Sequence, residues 1–174
     1  SMQEAVPVGK GLMIAVLGVS SIDLKKMLTD FKLINKKGIC EIANDNAEGQ
    51  IILSGDFETV NLFKEYLKKK GKKFIPLKVS APFHCELMKT ATELMRNELA
   101  KIVFKEFQTS LISNVTAQEI DNSLIIRDLL IRQIESRVRW RESINYMIKN
   151  GVNNFIELGP GKVLSGLVNR IDTK

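Results

Sequence analysis

The chain has 174 residues, which fits one domain or one domain with a small lobe. Its 44% hydrophobic and 26% charged content is ordinary for a globular protein, and no internal repeat or low-complexity tract interrupts it. The net charge of +6 suits an acidic protein, a polyphosphate ligand, nucleic acid or simply a solvated basic face. No apolar run reaches transmembrane length and no signal-peptide pattern opens the chain, so a cytoplasmic protein with no membrane contact is expected.

Leu12 to Leu17 is a short apolar run ended by Gly18 and reads as a buried strand. Ser20 and Asp23 have the spacing of a capping box, and Leu24, Met27, Leu28 and Phe31 follow at helical intervals. Ile39 to Ala43 and Gln50 to Leu53 read as strands, separated by the turn-forming stretch Asn44 to Gly49. Asp56 is placed to cap a helix whose apolar face carries Phe57, Val60, Phe63 and Leu67. That helix should end near Lys68, Lys69 and Lys70, where cations suit a helix C-terminus. No aromatic residue interleaves with these lysines or with Lys72 and Lys73, so nucleic acid is not an expected partner. Phe74 to Val79 is a fourth strand, and Pro76 implies that it lies at an edge or opens irregularly. The order β-α-β-β-α-β over residues 11–80 predicts a ferredoxin-like subdomain.

The second half changes character. Leu87, Ala91, Leu94, Met95 and Ile102 mark a long amphipathic helix, and Ser110 to Ser113 a short strand ending at Asn114. Ser123 is placed to cap a helix running to about Ile134, and a further helix covers Trp140 to Asn150. Asn154 to Leu158 reads as a strand, followed by the Gly159-Pro160-Gly161 turn and a last helix through Leu164, Leu167, Val168 and Ile171. Alternating helix and strand implies part of an open α/β sheet, yet two strands cannot complete one.

The only histidine, His84, follows a strand and a proline, at the kind of chain switch where α/β proteins place their sites. It reads either as a structural imidazole or as a general base for a hydroxyl nucleophile. No serine in the chain sits on a G-x-S-x-G elbow: the contexts of Ser20, Ser54 and Ser165 all fail. Cys85 neighbours His84 in sequence, but adjacent residues of an extended chain point apart, so it reads as an inert core thiol. Cys40 and Cys85 match no zinc spacing, and Asp45 and Asn46 lack the rest of a calcium loop, so no metal is expected. The Gly159 to Gly161 turn opens a helix and reads either as a structural turn or as a weak anion site.

Seven motifs then occur in one order: MQEAVP from Met2 to Pro7, ANDN from Ala43 to Asn46 with Gly49-Gln50, Pro82-Phe83-His84, Ser113-Asn114-Val115, Arg132-Gln133, Val138-Arg139-Trp140, and ELGPGKVL from Glu157 to Leu164. Together they resemble the bacterial malonyl-CoA:acyl carrier protein transacylase family from Met2 almost to Lys174. The resemblance implies a ferredoxin-like small subdomain at residues 11–80. It also implies that residues 81–174 are the C-terminal portion of a large α/β-hydrolase-like lobe.

It implies a ping-pong malonyl transfer from malonyl-CoA to the phosphopantetheine thiol of acyl carrier protein, with no further cofactor. His84 matches the family's catalytic base and Gln133 the position whose backbone carbonyl orients it. Phe83 and Asn114 match substrate-side positions. The expected partners are acyl carrier protein and a coenzyme A thioester, for which the basic surface is suited. The family's G-H-S-L-G serine, its carboxylate-gripping arginine and its oxyanion-hole glutamine lie upstream of the MQEA motif. The 174-residue chain is therefore expected to lack the nucleophile, to be inactive alone and to expose apolar surface that favours self-association. A non-catalytic fragment that binds acyl carrier protein is the alternative expectation.

Overall fold

In the computed structural model, which describes residues 6–7, 9–79, 81–120 and 122–173, the first apolar run forms strand β1 (Gly11–Leu17). The MQEA part of the first motif lies outside the described residues. Helix α1 (Ser21–Ile34) starts at Ser20, whose hydroxyl accepts the Asp23 N–H at 3.1 Å and donates to the Asp23 carboxylate at 2.8 Å. Strands β2 (Cys40–Ala47) and β3 (Gln50–Asp56) follow. Helix α2 (Phe57–Lys69) is capped by Asp56, which accepts the Thr59 N–H at 2.8 Å and also the Ile39 N–H at 2.5 Å. Edge strand β4 (Lys73–Pro76) completes an antiparallel sheet in the order β2-β3-β1-β4.

Alternation along β1 sends its side chains to two apolar clusters. Ile14 and Val16 join Leu24, Phe31, Val60, Phe63 and Leu67 beneath the helices, with the Phe31 and Phe63 rings edge-on at 5.0 Å. Met13 and Ala15 join Ala43 and Ile52 on the other face, against Phe83. Both faces are covered, which is why this strand is a continuous apolar run rather than an alternating one.

The stretch from Asn44 departs from its expected role as a turn. β2 runs on through Ala47, and only Glu48 and Gly49 form the turn, with Gly49 at φ 70°. Register shifts at Ile42/Asn44 and Asp45/Ala47 let this polar stretch stay in the ladder while turning Asp45 inward.

After a 3-10 turn at Glu86–Met88 comes α3 (Lys89–Ala100), shorter than its apolar pattern predicts. Arg127 ends it by donating to the carbonyls of Leu99 and Ile102 at 3.0 and 2.8 Å. Strand β5 (Leu111–Ser113) pairs with β6 (Gln118–Ile120), a strand the sequence pattern did not reveal. Helix α4 (Ile126–Gln133) follows a 3-10 turn capped by Asn122, not Ser123, because the Ser123 hydroxyl donates to Glu106 instead. Helices α5 (Trp140–Lys149) and α6 (Val163–Ile171) close the described chain.

The expected strand at Asn154 to Leu158 does not form. No ladder partner reaches it among the described residues, and Ile156 and Leu158 are 85% and 92% exposed. A strand exists only through its neighbours' hydrogen bonds, so an apolar pattern alone cannot make one. The helices at either side of this segment leave a cavity of about 590 Å³, and the buried Trp140 Nε1–H has no acceptor among the described residues. Among the described residues no helix is long and apolar enough to cross a membrane, and no cluster of three or more His, Cys, Asp or Glu is arranged to hold a metal ion.

Candidate active site

The site is built where the chain leaves the sheet after β4. Pro82 packs so closely on β1 that a Cβ at Gly11 would lie 2.3 Å from its ring, so glycine is required there. Phe83 is half-buried between two apolar clusters, one around Met13, Ala15 and Ile52, the other around Met88, Ala91 and Ile134. These contacts fix the chain just before His84, which takes φ 58°, a left-handed conformation uncommon outside glycine. Such backbone costs on the order of 1–3 kcal/mol and persists where the surroundings over-determine it, as at functional sites.

The imidazole's Nδ1 lies 2.9 Å from the Gln133 carbonyl oxygen at the end of α4. A carbonyl can only accept, so Nδ1 carries the proton and donates. Nε2 is then left with its lone pair. Burial pushes the pKa of His84 below its ordinary 6.5, and the opposing pull of the Gln133 and Ile134 carbonyls does not restore it. His84 is therefore a neutral base of defined tautomer near pH 7.

His84 opens on a cleft of about 460 Å³. Lys25, Leu28, Thr29 and Lys32 of α1 form one wall, Cys40, Glu41 and Ile42 of β2 another, and Glu135 and Arg137 a third. Among the described residues no hydroxyl hydrogen-bonds the imidazole; that of Thr29 donates to the Lys25 carbonyl at 3.0 Å. Neither thiol is a nucleophile. Cys85 is fully buried, donates to the Pro82 carbonyl at 3.2 Å and accepts from Ser54 at 3.6 Å, and burial pushes its pKa up. Burial pushes the Cys40 thiol up to about 12.

Of the four residues singled out from sequence, the structure joins His84 to Gln133 directly, while Phe83 packs into the apolar clusters and does not line the cleft. Asn114 does not line the cleft. It sits on the β5–β6 turn, and its carbonyl accepts the Arg139 N–H at 3.1 Å, at the other end of the segment that begins with Gln133. The Gly159 to Gly161 turn is structural rather than an anion site: the Glu157 carboxylate accepts the Leu164 and Ser165 N–H groups at 3.1 and 2.8 Å and the Ser165 hydroxyl at 2.7 Å. Sequence reasoning missed the ionic groups beside the cleft. Asp45, only 1% exposed, is gripped by two of the three Arg141 guanidinium nitrogens at 2.9 Å, the third pairs with Glu48 at 3.2 Å, and Arg137 and Arg139 both pair with Glu142. Only the spacing of three arginines from Arg137 to Arg141 hinted at them.

A single imidazole held through Nδ1 by a main-chain carbonyl at the mouth of a cleft presents Nε2 with its lone pair toward that cleft's side of the molecule, an arrangement able to accept a proton. No family model matches the chain. A malonyl CoA-acyl carrier protein transacylase of Bacillus subtilis is 45% identical over 174 residues, covering 99% of this chain and 54% of that protein. The crystal structure of a malonyl CoA-acyl carrier protein transacylase from Clostridium perfringens superposes with a TM-score of 0.91 at 38% identity, covering 99% of this chain and 54% of that one. A malonyl-transacylase solved in complex with its type II PKS acyl-carrier protein gives 0.90 at 34% identity, covering 99% and 55%. The chain is thus homologous to the malonyl CoA-acyl carrier protein transacylases over nearly its whole length, and it spans about half the length of the curated relatives it matches.

Proposed function

We propose that the full-length protein transfers malonyl from malonyl-CoA to the phosphopantetheine thiol of acyl carrier protein, and that this chain supplies the general base. The observation that carries the reading is the 2.9 Å contact between His84 Nδ1 and the Gln133 carbonyl, in a chain homologous to the transacylases. The serine nucleophile comes from a part of the protein upstream of this sequence. As its oxygen attacks the thioester carbonyl, Nε2 takes the hydroxyl proton. The C–S bond breaks, the imidazolium returns the proton to the leaving thiolate, and malonyl stays on the serine as an ester. In the second half the carrier's thiol loses its proton to Nε2, its sulfur attacks the ester, and the serine oxygen recovers the proton. Neither Phe83 nor Asn114 lines the His84 cleft; Phe83 is kept on the acyl side as the residue beside the base, and Asn114 as the residue whose carbonyl anchors Arg139.

The same reading divides the chain into a ferredoxin-like subdomain at residues 11–80 and part of an α/β-hydrolase-like lobe at 81–174. The antiparallel order β2-β3-β1-β4 supports the first assignment. The unpaired segment at Asn154 to Leu158 and the unpartnered Trp140 N–H support the second, since both await a neighbour.

The test is malonyl transfer by the full-length protein, with and without His84→Ala, beside the 174-residue chain alone. Loss of at least about a hundredfold in the variant is expected, the usual range for a positioned acid–base group. The isolated chain should show no covalent malonyl by intact mass. Unchanged transfer in the variant would overturn the assignment of the base. A malonyl adduct on the isolated chain, lost with His84→Ala, would mean that it holds its own nucleophile.

A further inference from the structure

The carbonyl that orients His84 belongs to the last residue of a short helix, and a helix end is free to fray. What holds it is a strap that runs from Gln133 to Arg141. The Gln133 side chain donates to the Ser136 carbonyl at 3.1 Å, and the Ser136 N–H donates to the Arg132 carbonyl at 2.9 Å. Val138 is then fastened to β2 on both sides: its N–H donates to the Ala43 carbonyl at 2.8 Å, and its carbonyl accepts the Asp45 N–H at 2.9 Å. At the second residue of α5, Arg141 closes on the Asp45 carboxylate with Nε and Nη2, each at 2.9 Å. Arg141 Nη2 also donates to the Ser21 hydroxyl at 3.2 Å, and Arg137 stands 3.9 Å from the same carboxylate.

We propose that the buried Asp45–Arg141 pair is a positioning device: by locking the strap to β2 it holds the Gln133 carbonyl on His84 Nδ1 and so fixes the tautomer of the base. A planar guanidinium gripping a carboxylate through two parallel bonds sets orientation as well as distance, which an ammonium cannot do. Both partners are side chains 96 residues apart in sequence, one on the strand that walls the cleft and the other on the helix that ends the strap. Neither touches His84, so they act through Gln133. The inference takes its functional meaning from the base assigned above, while its physical content, the imidazole's tautomer, can be read without any turnover.

Because His84 is the only histidine, its ring nitrogens give the only imidazole resonances of the 174-residue chain. The experiment is long-range 1H–15N correlation on 15N-histidine-labelled chain at pH 8, where the ring is neutral. Wild type should show protonated Nδ1 and bare Nε2. Arg141→Lys, which keeps the charge and loses the fork, should raise the Nε2–H tautomer by at least about threefold, the effect of weakening one ordinary hydrogen bond. Asp45→Val with Arg141→Met removes the pair without stranding a buried charge, since Arg141's other acidic partner, Glu48 at 3.2 Å, is exposed, and should do the same in a chain that still folds. Both substitutions conserve net charge, so the other ionic groups facing the cleft, Lys25 and Lys32 of α1, Glu41 of β2, and Glu135 and Arg137 of the strap, still act on the ring. In the full-length protein Arg141→Lys should lower kcat with KM unchanged. A folded double variant whose histidine spectrum matches wild type would overturn the inference, whether or not the protein transfers malonyl. Failure of transfer with the tautomer shift intact would instead overturn the function and leave the strap.

Discussion

Arg141→Met strands a carboxylate that the fold has taken out of water, and its cost follows from the geometry. Asp45 is 1% exposed and loses two charge-assisted bonds of 2.9 Å, keeping only Arg137 at 3.9 Å. Breaking a buried pair by removing one partner typically costs about 3–5 kcal/mol. The Arg141 side chain is 23% exposed, so water can reach the vacated end and a loss near 3 kcal/mol is expected. Against a total of about 5–15 kcal/mol for a domain, that loss is severe. Asp45→Val together with Arg141→Met removes both charges and should return to within about 1.5 kcal/mol of wild type. Urea unfolding of wild type, Asp45→Val, Arg141→Met and the double variant, followed by fluorescence of Trp140, the only tryptophan and Arg141's neighbour, and by far-UV ellipticity, gives the four free energies. A single-variant loss below about 1 kcal/mol, or a double variant that merely sums the singles, would refute the reasoning, because neighbours in one network couple by about 0.5–3 kcal/mol.

His84 makes stability depend on pH in a known direction. Its folded pKa lies below 6.5, so the unfolded chain binds the proton first, and stability should fall as pH drops through 6.5 and level off below the folded value. His84→Phe should flatten the curve between pH 5.5 and 7.5 in urea titrations, and an unchanged slope would contradict this. Asp56→Ala removes the α2 cap and the acceptor of Ile39 N–H, and should cost about 2 kcal/mol by the same assay. Burial raises the Asp56 pKa, but the N–H groups of Ile39 and Thr59 bring it below 3.8, so this stabilisation is present above 3.8 and lost as pH falls through the folded value. The exposed Ile156, Leu158 and Val163 should make the isolated chain self-associate as concentration rises in sedimentation velocity, and Ile156→Lys with Leu158→Lys should suppress it. A wild-type chain that stays monomeric would argue against that.

Local chemistry was legible where local forces decide. The β1 run, the Ser20 and Asp56 caps and the order of the first four strands are all written in side-chain pattern. The misreadings fall where distant contacts decide. Asn44 to Ala47 are turn formers by composition, yet the strap at Val138 and the guanidinium of Arg141 hold them in β2. Asn154 to Leu158 has a strand's pattern and no strand, because pairing comes from elsewhere in space. At the site, a lone histidine after a strand end drew attention by itself. Gln133 could not, since it orients the imidazole through its main chain, where every residue carries the same carbonyl. Only the resemblance singled it out.

The nature of that orienting group bears on the kind of bond the protein can break. A buried carboxylate behind a histidine stabilises the imidazolium and makes it persist long enough to protonate an amine as it leaves. A neutral carbonyl stabilises it less, and here burial already holds the imidazole below its ordinary pKa. The imidazolium is then short-lived and better matched to a leaving group that needs little help. A thiolate is such a group, with a conjugate-acid pKa of about 8.5, whereas an amine must be protonated as the C–N bond breaks. On the proposed function, the full-length protein should therefore be acylated by malonyl-CoA and leave the analogue in which an amide NH replaces the sulfur unreacted. Acylation by the two compared by intact mass should differ by more than about a hundredfold, the scale of one acid–base contribution. Comparable acylation by the amide would mean that His84 has an anionic partner in the assembled protein and that the Gln133 carbonyl is not what sets its basicity.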